Sequence, residues 1–111
     1  MVDVSEAVKA MIALSRPVAA ICAATLALAH ADLLNDRLHT SNGKGFIEKY
    51  VCKYRGKNFY RPSPAVSDRL VITANGLSPF AFAAEIFRTV ASGRKQDVET
   101  YENLYSRGLF D

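Results

Sequence analysis

Apolar residues recur every three or four positions through the first third of the chain. Val4, Val8, Met11, Leu14, Val18, Ile21, Thr25 and Leu28 form one stripe, and Lys9, Arg16, Ala23, His30 and Arg37 run opposite it at seven-residue spacing. That period predicts a long amphipathic helix over residues 4–38, with one dry face and one wet face. Pro17 lacks an amide hydrogen, so the helix is kinked there or restarts with Ser15 as its cap. Thr40, Ser41, Asn42 and Gly43 supply the stop.

The period then changes to two. Phe46, Glu48, Tyr50, Cys52 and Tyr54 face one way, and Ile47, Lys49, Val51 and Lys53 the other. Alternation with aromatic and β-branched content predicts a strand over residues 45–54. Arg55, Gly56, Lys57 and Asn58 carry turn chemistry, and Phe59 to Arg61 returns as a short second strand that Pro62 and Pro64 end. Residues 69–73 read as a third strand, with a short helix capped at Ser67 and Asp68 as the alternative. Ser78 and Pro79 open a helix over residues 78–92, a capping serine followed by proline in the first turn. Its expected buried face is Phe80, Ala83, Phe87 and Val90, with Phe82 and Ile86. After Gly93, Asp97 opens a last helix with Val98, Tyr101, Leu104 and Tyr105 on one side. The expectation is an α+β fold in one small domain over residues 1–111. It has a long N-terminal helix, a central basic β-hairpin or small antiparallel sheet, and two C-terminal helices.

Composition fits a globular chain: 50% of the 111 residues are hydrophobic and 23% charged, an ordinary balance that does not read as disorder. Charge adds more. The net value is only +3, yet Lys44, Lys49, Lys53, Arg55, Lys57 and Arg61 fall within residues 44–61 with Glu48 as the sole opposing charge. Phe46, Tyr50, Tyr54, Phe59 and Tyr60 interleave with them. Cations neutralise phosphates and flat rings stack on bases, so the segment reads as a nucleic-acid surface. Its contacts would be Lys44, Lys49, Lys53, Tyr54, Arg55, Lys57, Tyr60 and Arg61. The competing reading buries one aromatic face of the hairpin and leaves the lysines as solvated surface.

Other chemistry is sparse. The loop at residues 41–45 has Gly43 and Lys44 but lacks the earlier glycine and the Ser/Thr of a P-loop, so it reads as a turn. His30, His39, Cys22 and Cys52 have no zinc-ligand spacing, so no metal and no cofactor is expected. A Cys52–His39 nucleophilic pair has no third orienting residue in view. Cys22, in an alanine-rich run, reads as a buried small hydrophobe. The last two helices have the outline of a helix-turn-helix, but Asp97, Glu99 and Glu102 would face phosphates unfavourably. Tyr101 and Tyr105 instead suggest a partner-binding surface.

The expected function is a small non-enzymatic binding protein that contacts nucleic acid through the basic segment. The alternative is a protein-interaction module, such as an inhibitor or assembly subunit of the kind phages and mobile elements carry, with a protein partner or homodimer. Two free cysteines fit a reducing cytoplasm. An exported form is the other option: the uncharged run at residues 18–29, ending near Ala29-His30-Ala31, resembles a secretory signal cleaved within residues 1–31. Asp3, Glu6 and Pro17 argue against it. No integral membrane anchor is expected, because the run is shorter than the roughly 20 apolar residues a span requires.

Overall fold

The computed structural model describes residues 4–91. A three-stranded mixed sheet organises them, in the order β1-β3-β2. Strand β1 is Val18–Ile21, β2 is Ala65–Asp68 and β3 is Val71–Ala74. β1 runs parallel to β3 with Val18 opposite Val71 and Ile21 opposite Ala74, while β2 is antiparallel to β3. Four helices surround the sheet: α1 (Val4–Ala13), α2 (Thr25–His30), α3 (Phe46–Tyr50) and α4 (Pro79–Val90). α1 and α2 pack on each other and on β1, α3 packs on α2, and α4 lies against all three strands.

The long N-terminal helix is thus replaced by helix, strand and helix. α1 stops at Ala13, and Ser15 turns the chain with φ 57°. Residues 18–30 then form β1, a tight turn and α2. An apolar run buried on several sides satisfies the helical period and the requirements of a buried parallel strand equally well, which is why periodicity misassigned it. The run is apolar because it is central: Ala20, Leu28, Ala29 and Ala31 all lie in the core. The rest of that core is Leu33, Leu34, Ile47, Val51, Tyr54 and Val71.

The basic hairpin is also absent. Residues 46–50 form α3, whose Ile47 is buried, and Lys57–Phe59 is a 3₁₀ turn. Tyr60 makes only an isolated bridge with His39. Five residues are too few for a period to separate strand from helix, and the positive φ of 88° at Gly45 starts the turn that enters α3. The strand expected at residues 69–73 is present as β3, entirely buried. Its hairpin partner β2 escaped notice because the connecting turn, Arg69 and Leu70 at φ 45° and 73°, contains neither glycine nor asparagine. The Arg69 guanidinium holds the turn by donating to the Asp36 carbonyl at 2.5 Å and pairing with Asp36 and Asp68.

The helix at Ser78 and Pro79 is present as α4, with a different packed face. Phe80, Phe87 and Val90 are exposed, and Ala84 is the buried residue. Small side chains let this helix approach the strands closely. Ser78 does not cap it; its hydroxyl donates to Asn75 Oδ1 at 2.9 Å. The expected last helix, with Tyr101 and Tyr105, lies outside the described residues. Among the described residues no helix is long and apolar enough to cross a membrane.

Candidate active site at Cys22

The turn between β1 and α2 carries one of the five non-glycine residues with positive φ among the described residues. Ile21 is extended, Cys22 has φ 61°, and residues 22–24 form a 3₁₀ turn leading directly into α2. A non-glycine residue in this left-handed region costs on the order of 1–3 kcal/mol and persists only where its surroundings impose it. The surroundings here are three buried hydroxyls. Thr25 donates to the Cys22 carbonyl at 2.8 Å and accepts from Ser41 at 2.7 Å; Thr73 accepts the Thr40 amide at 2.8 Å. Ala23 and Ala24 are small enough for the tight turn.

The strained residue is also the exposed one. Cys22 opens into a cavity of about 580 Å³ shared with Asn42, Gly43, Tyr60, Pro62 and Gly76, among others. The reading of Cys22 as a buried hydrophobe is therefore corrected. Asn42 Nδ2 donates to its sulfur at 3.3 Å, while Asn42 Oδ1 accepts the Gly76 amide at 3.0 Å. The second bond fixes the carboxamide, because only Oδ1 can receive an N–H, so the amino group must face the sulfur. The turn at residues 75–78 is held by Asn75, whose Oδ1 accepts from the Leu77 amide and the Ser78 hydroxyl. Gly76 is required for space: a Cβ there would lie 2.9 Å from Cys22 Sγ.

β1 and β3 are parallel and end together, at Ile21 and Ala74. The segments that follow them, Cys22 and residues 75–76, emerge side by side. The carboxyl ends of parallel strands are where α/β proteins place their ligands.

His39 does not belong to this site. Its side chain is fully buried. Nδ1 donates to the Arg37 carbonyl at 2.7 Å, so Nε2 is the acceptor for the Tyr54 hydroxyl at 2.6 Å. Desolvation by burial dominates and lowers the His39 pKa, while burial pushes the Tyr54 hydroxyl up. Both shifts agree with a neutral imidazole receiving a phenol proton. Cys52 is exposed and no bond joins it to His39, so the Cys52–His39 pair does not form. Among the described residues no group of three or more His, Cys, Asp or Glu side chains could hold a metal.

The sequence-predicted binding residues scatter. Tyr54 is in the core. Lys53 pairs with Asp32 at 3.5 Å, Lys49 lies 5.5 Å from the Tyr50 ring centre, and the Arg61 guanidinium donates to the carbonyls of Asn58 and Tyr60. The Arg55 amide donates to Asn35 Oδ1. Lys44, Lys57 and Tyr60 line a second cavity beside the first. Sequence reasoning missed Cys22, although one signal was available: a cysteine between a β-branched apolar run and two alanines, the small-residue frame that a nucleophile elbow requires.

A parallel strand that feeds an exposed cysteine through a tight turn into a helix defines a class: α/β proteins with a strand–turn–helix crossover. The comparisons then narrow the class. The sequence profile of the DJ-1/PfpI family matches residues 2–89, and the chain belongs to that family. It is 44% identical over 75 residues to the uncharacterized protease YoaZ of Bacillus subtilis (strain 168), covering 68% of this chain and 36% of that one. It is 33% identical over 91 residues to the uncharacterized protease YdeA of the same organism, covering 80% and 46%. A thiJ/pfpI family protein from Bacillus anthracis superposes with TM-score 0.85 at 34% identity, over 92% of this chain and 48% of that one. A DJ-1 superfamily protein from Agrobacterium tumefaciens gives 0.77 at 35%, over 95% and 57%. The chain spans less than half the length of the curated relatives it matches.

These findings overturn the α+β assignment in favour of the family's flavodoxin-like α/β fold. They also overturn the expectation of a non-enzymatic protein that binds nucleic acid or acts as an interaction module, since two relatives in the family are named as uncharacterized proteases.

Proposed function

We propose that this chain carries the nucleophile of a cysteine-dependent enzyme that attacks carbonyl carbon, with peptide-bond hydrolysis as its reaction. The observation that carries the reading is Cys22 at φ 61°, strained and exposed at the end of β1 with its sulfur held by Asn42. Strain maintained at an exposed thiol has no use in packing. The relatives named as proteases supply the reaction class.

The chemistry follows from the thiolate, the reactive form of cysteine. Cys22 Sγ adds to the carbonyl carbon, an S–C bond forms, and the C=O π pair moves to oxygen. The residue after an elbow nucleophile, here Ala23, is where such turns place an amide donor for that oxygen. Collapse restores the carbonyl and breaks the C–N bond as the nitrogen takes a proton from solvent water and leaves as the amine; water then adds to the thioester, releasing the carboxylate and regenerating the thiol. Asn42 donates a hydrogen bond that orients the sulfur, but it takes no proton. No histidine or carboxylate among the described residues bonds to Cys22, so these residues supply nucleophile and orientation without a base.

Trapping with iodoacetamide, mapped by mass spectrometry, tests the reading together with hydrolysis of a fluorogenic peptide panel. Cys22 should label faster than Cys52, and Cys22→Ser should lower hydrolysis by on the order of a thousandfold. Faster labelling at Cys52, or hydrolysis that Cys22→Ser leaves unchanged, overturns it. An exposed catalytic thiol supports a cytoplasmic setting, where thiols stay reduced; cell fractionation checks that. The exposed Phe80, Phe87 and Val90 of α4 support a homodimer or a protein partner over that face, and sedimentation measures it.

A further inference from the structure

The second cavity, about 370 Å³, is lined by Lys44, Gly45, Glu48, Lys57, Asn58, Tyr60 and Pro62. It shares Tyr60 and Pro62 with the Cys22 cavity, and the backbone passes directly from Gly43 in one to Lys44 in the other. Positive φ at Gly43 (140°) and Gly45 (88°) bends the chain on both sides of Lys44. The two cavities therefore adjoin, with Tyr60 and Pro62 between them.

The second cavity is positive. Of the bases in residues 44–61, Lys53 pairs with Asp32, Lys49 lies by Tyr50 and Arg61 is turned onto backbone carbonyls. Among the described residues neither Lys44 nor Lys57 makes an ion pair. Glu48 lines the same cavity, so its lining carries two lysines against one glutamate, a net charge of +1. Asn58 adds a neutral polar group. A net positive cavity next to the one that Cys22 lines suits a substrate with one negative charge.

We propose that Lys44 and Lys57 form a subsite for a carboxylate on the substrate that Cys22 attacks, so that the enzyme prefers acidic substrates. The proposal rests on Cys22 being the nucleophile.

Two thiol reagents separate the proposal from that premise. Dithiobis(nitrobenzoate) carries carboxylates, and dithiodipyridine is neutral; in each, the Cys22 thiolate attacks one sulfur, the S–S bond breaks and an aryl thiolate leaves. A Cys52→Ser background restricts the signal to Cys22. The anionic reagent should react faster relative to the neutral one by about tenfold over the same ratio for a free thiol, as local fields of this kind produce. Lys44→Ala with Lys57→Ala should bring the ratio back toward that of the free thiol, and added salt should shrink it. A wild-type ratio equal to the free thiol's, or one that the double substitution leaves unchanged, overturns the subsite. The neutral reagent's absolute rate bears on the nucleophile reading alone. Benzoate should protect Cys22 better than inorganic phosphate at equal concentration; the reverse order overturns carboxylate as the anion.

Discussion

Two reactive side chains in this molecule receive opposite treatment. Cys22 is pushed into water on a strained turn, while His39 is sealed away with both ring nitrogens occupied. Both environments are built from the same kinds of bond, buried hydroxyls and carbonyls, so hydrogen bonding alone does not mark function. What separates the two is which group is left with spare capacity. His39 has none: one nitrogen donates to Arg37 and the other accepts from Tyr54. Cys22 receives one bond, from Asn42, and its remaining surface faces a cavity. A conventional search for a catalytic cysteine–histidine pair would choose the histidine and miss the site.

The comparison breaks most sharply at the sulfur. Cys22→Ser should lower peptide hydrolysis by on the order of a thousandfold while thermal stability stays near wild type, measured by steady-state kinetics beside calorimetry. Gly56→Ala should do the opposite. Its Cβ would lie 2.1 Å from the Leu34 carbonyl oxygen and 2.7 Å from Tyr54 Cε2. Backbone cannot yield as a side chain can, so we expect a loss of about 3 kcal/mol or more in urea denaturation.

His39→Phe tests the sealed region more gently. It leaves the Tyr54 hydroxyl buried without its acceptor and should cost about 1–3 kcal/mol. The pH dependence follows from the direction of the His39 shift. Its pKa in the folded protein lies below the ordinary 6.5, mainly through desolvation, with Glu48 opposing and Arg61 adding to the effect. The unfolded chain therefore binds the proton more readily below that pH. The contribution to stability is complete above about pH 6.5 and is lost as pH falls through the folded value. Melting temperature should decline over that window in wild type and decline less in His39→Phe. The smallest effect belongs to Asn42→Ala, which should slow iodoacetamide labelling of Cys22 at neutral pH by about tenfold, the worth of one hydrogen bond to an anion. Asn42→Asp should slow it further, because an acceptor replaces the donor. Equal rates in all three proteins would remove Asn42 from the site.

The legible parts of the fold were those with local causes. Ser78 and Pro79 announced α4, and the β-branched run at residues 69–73 announced β3. What stayed hidden depended on distant partners. The run at residues 18–30 fits a helix until β3 arrives to pair with it, and the turn at Arg69 and Leu70 is held from outside by Asp36. The basic segment was read correctly as a concentration of charge and wrongly as one surface, because its side chains are apportioned among a core, an ion pair, an aromatic ring and a cavity. Cys22 was overlooked because its signal is a backbone angle, which appears in no composition or spacing.

The parallel pairing of β1 with β3 has a consequence in time. The connection between Ile21 and its partner Ala74 contains α2, α3 and β2, so the strands that bring Cys22 beside Gly76 are far apart in sequence. Closing so long a connection is slow relative to forming the helices within it. Until it closes, Cys22 is an ordinary thiol on a flexible chain, lacking both its strain and its asparagine. The turn that carries Cys22 is thus among the last features to assemble.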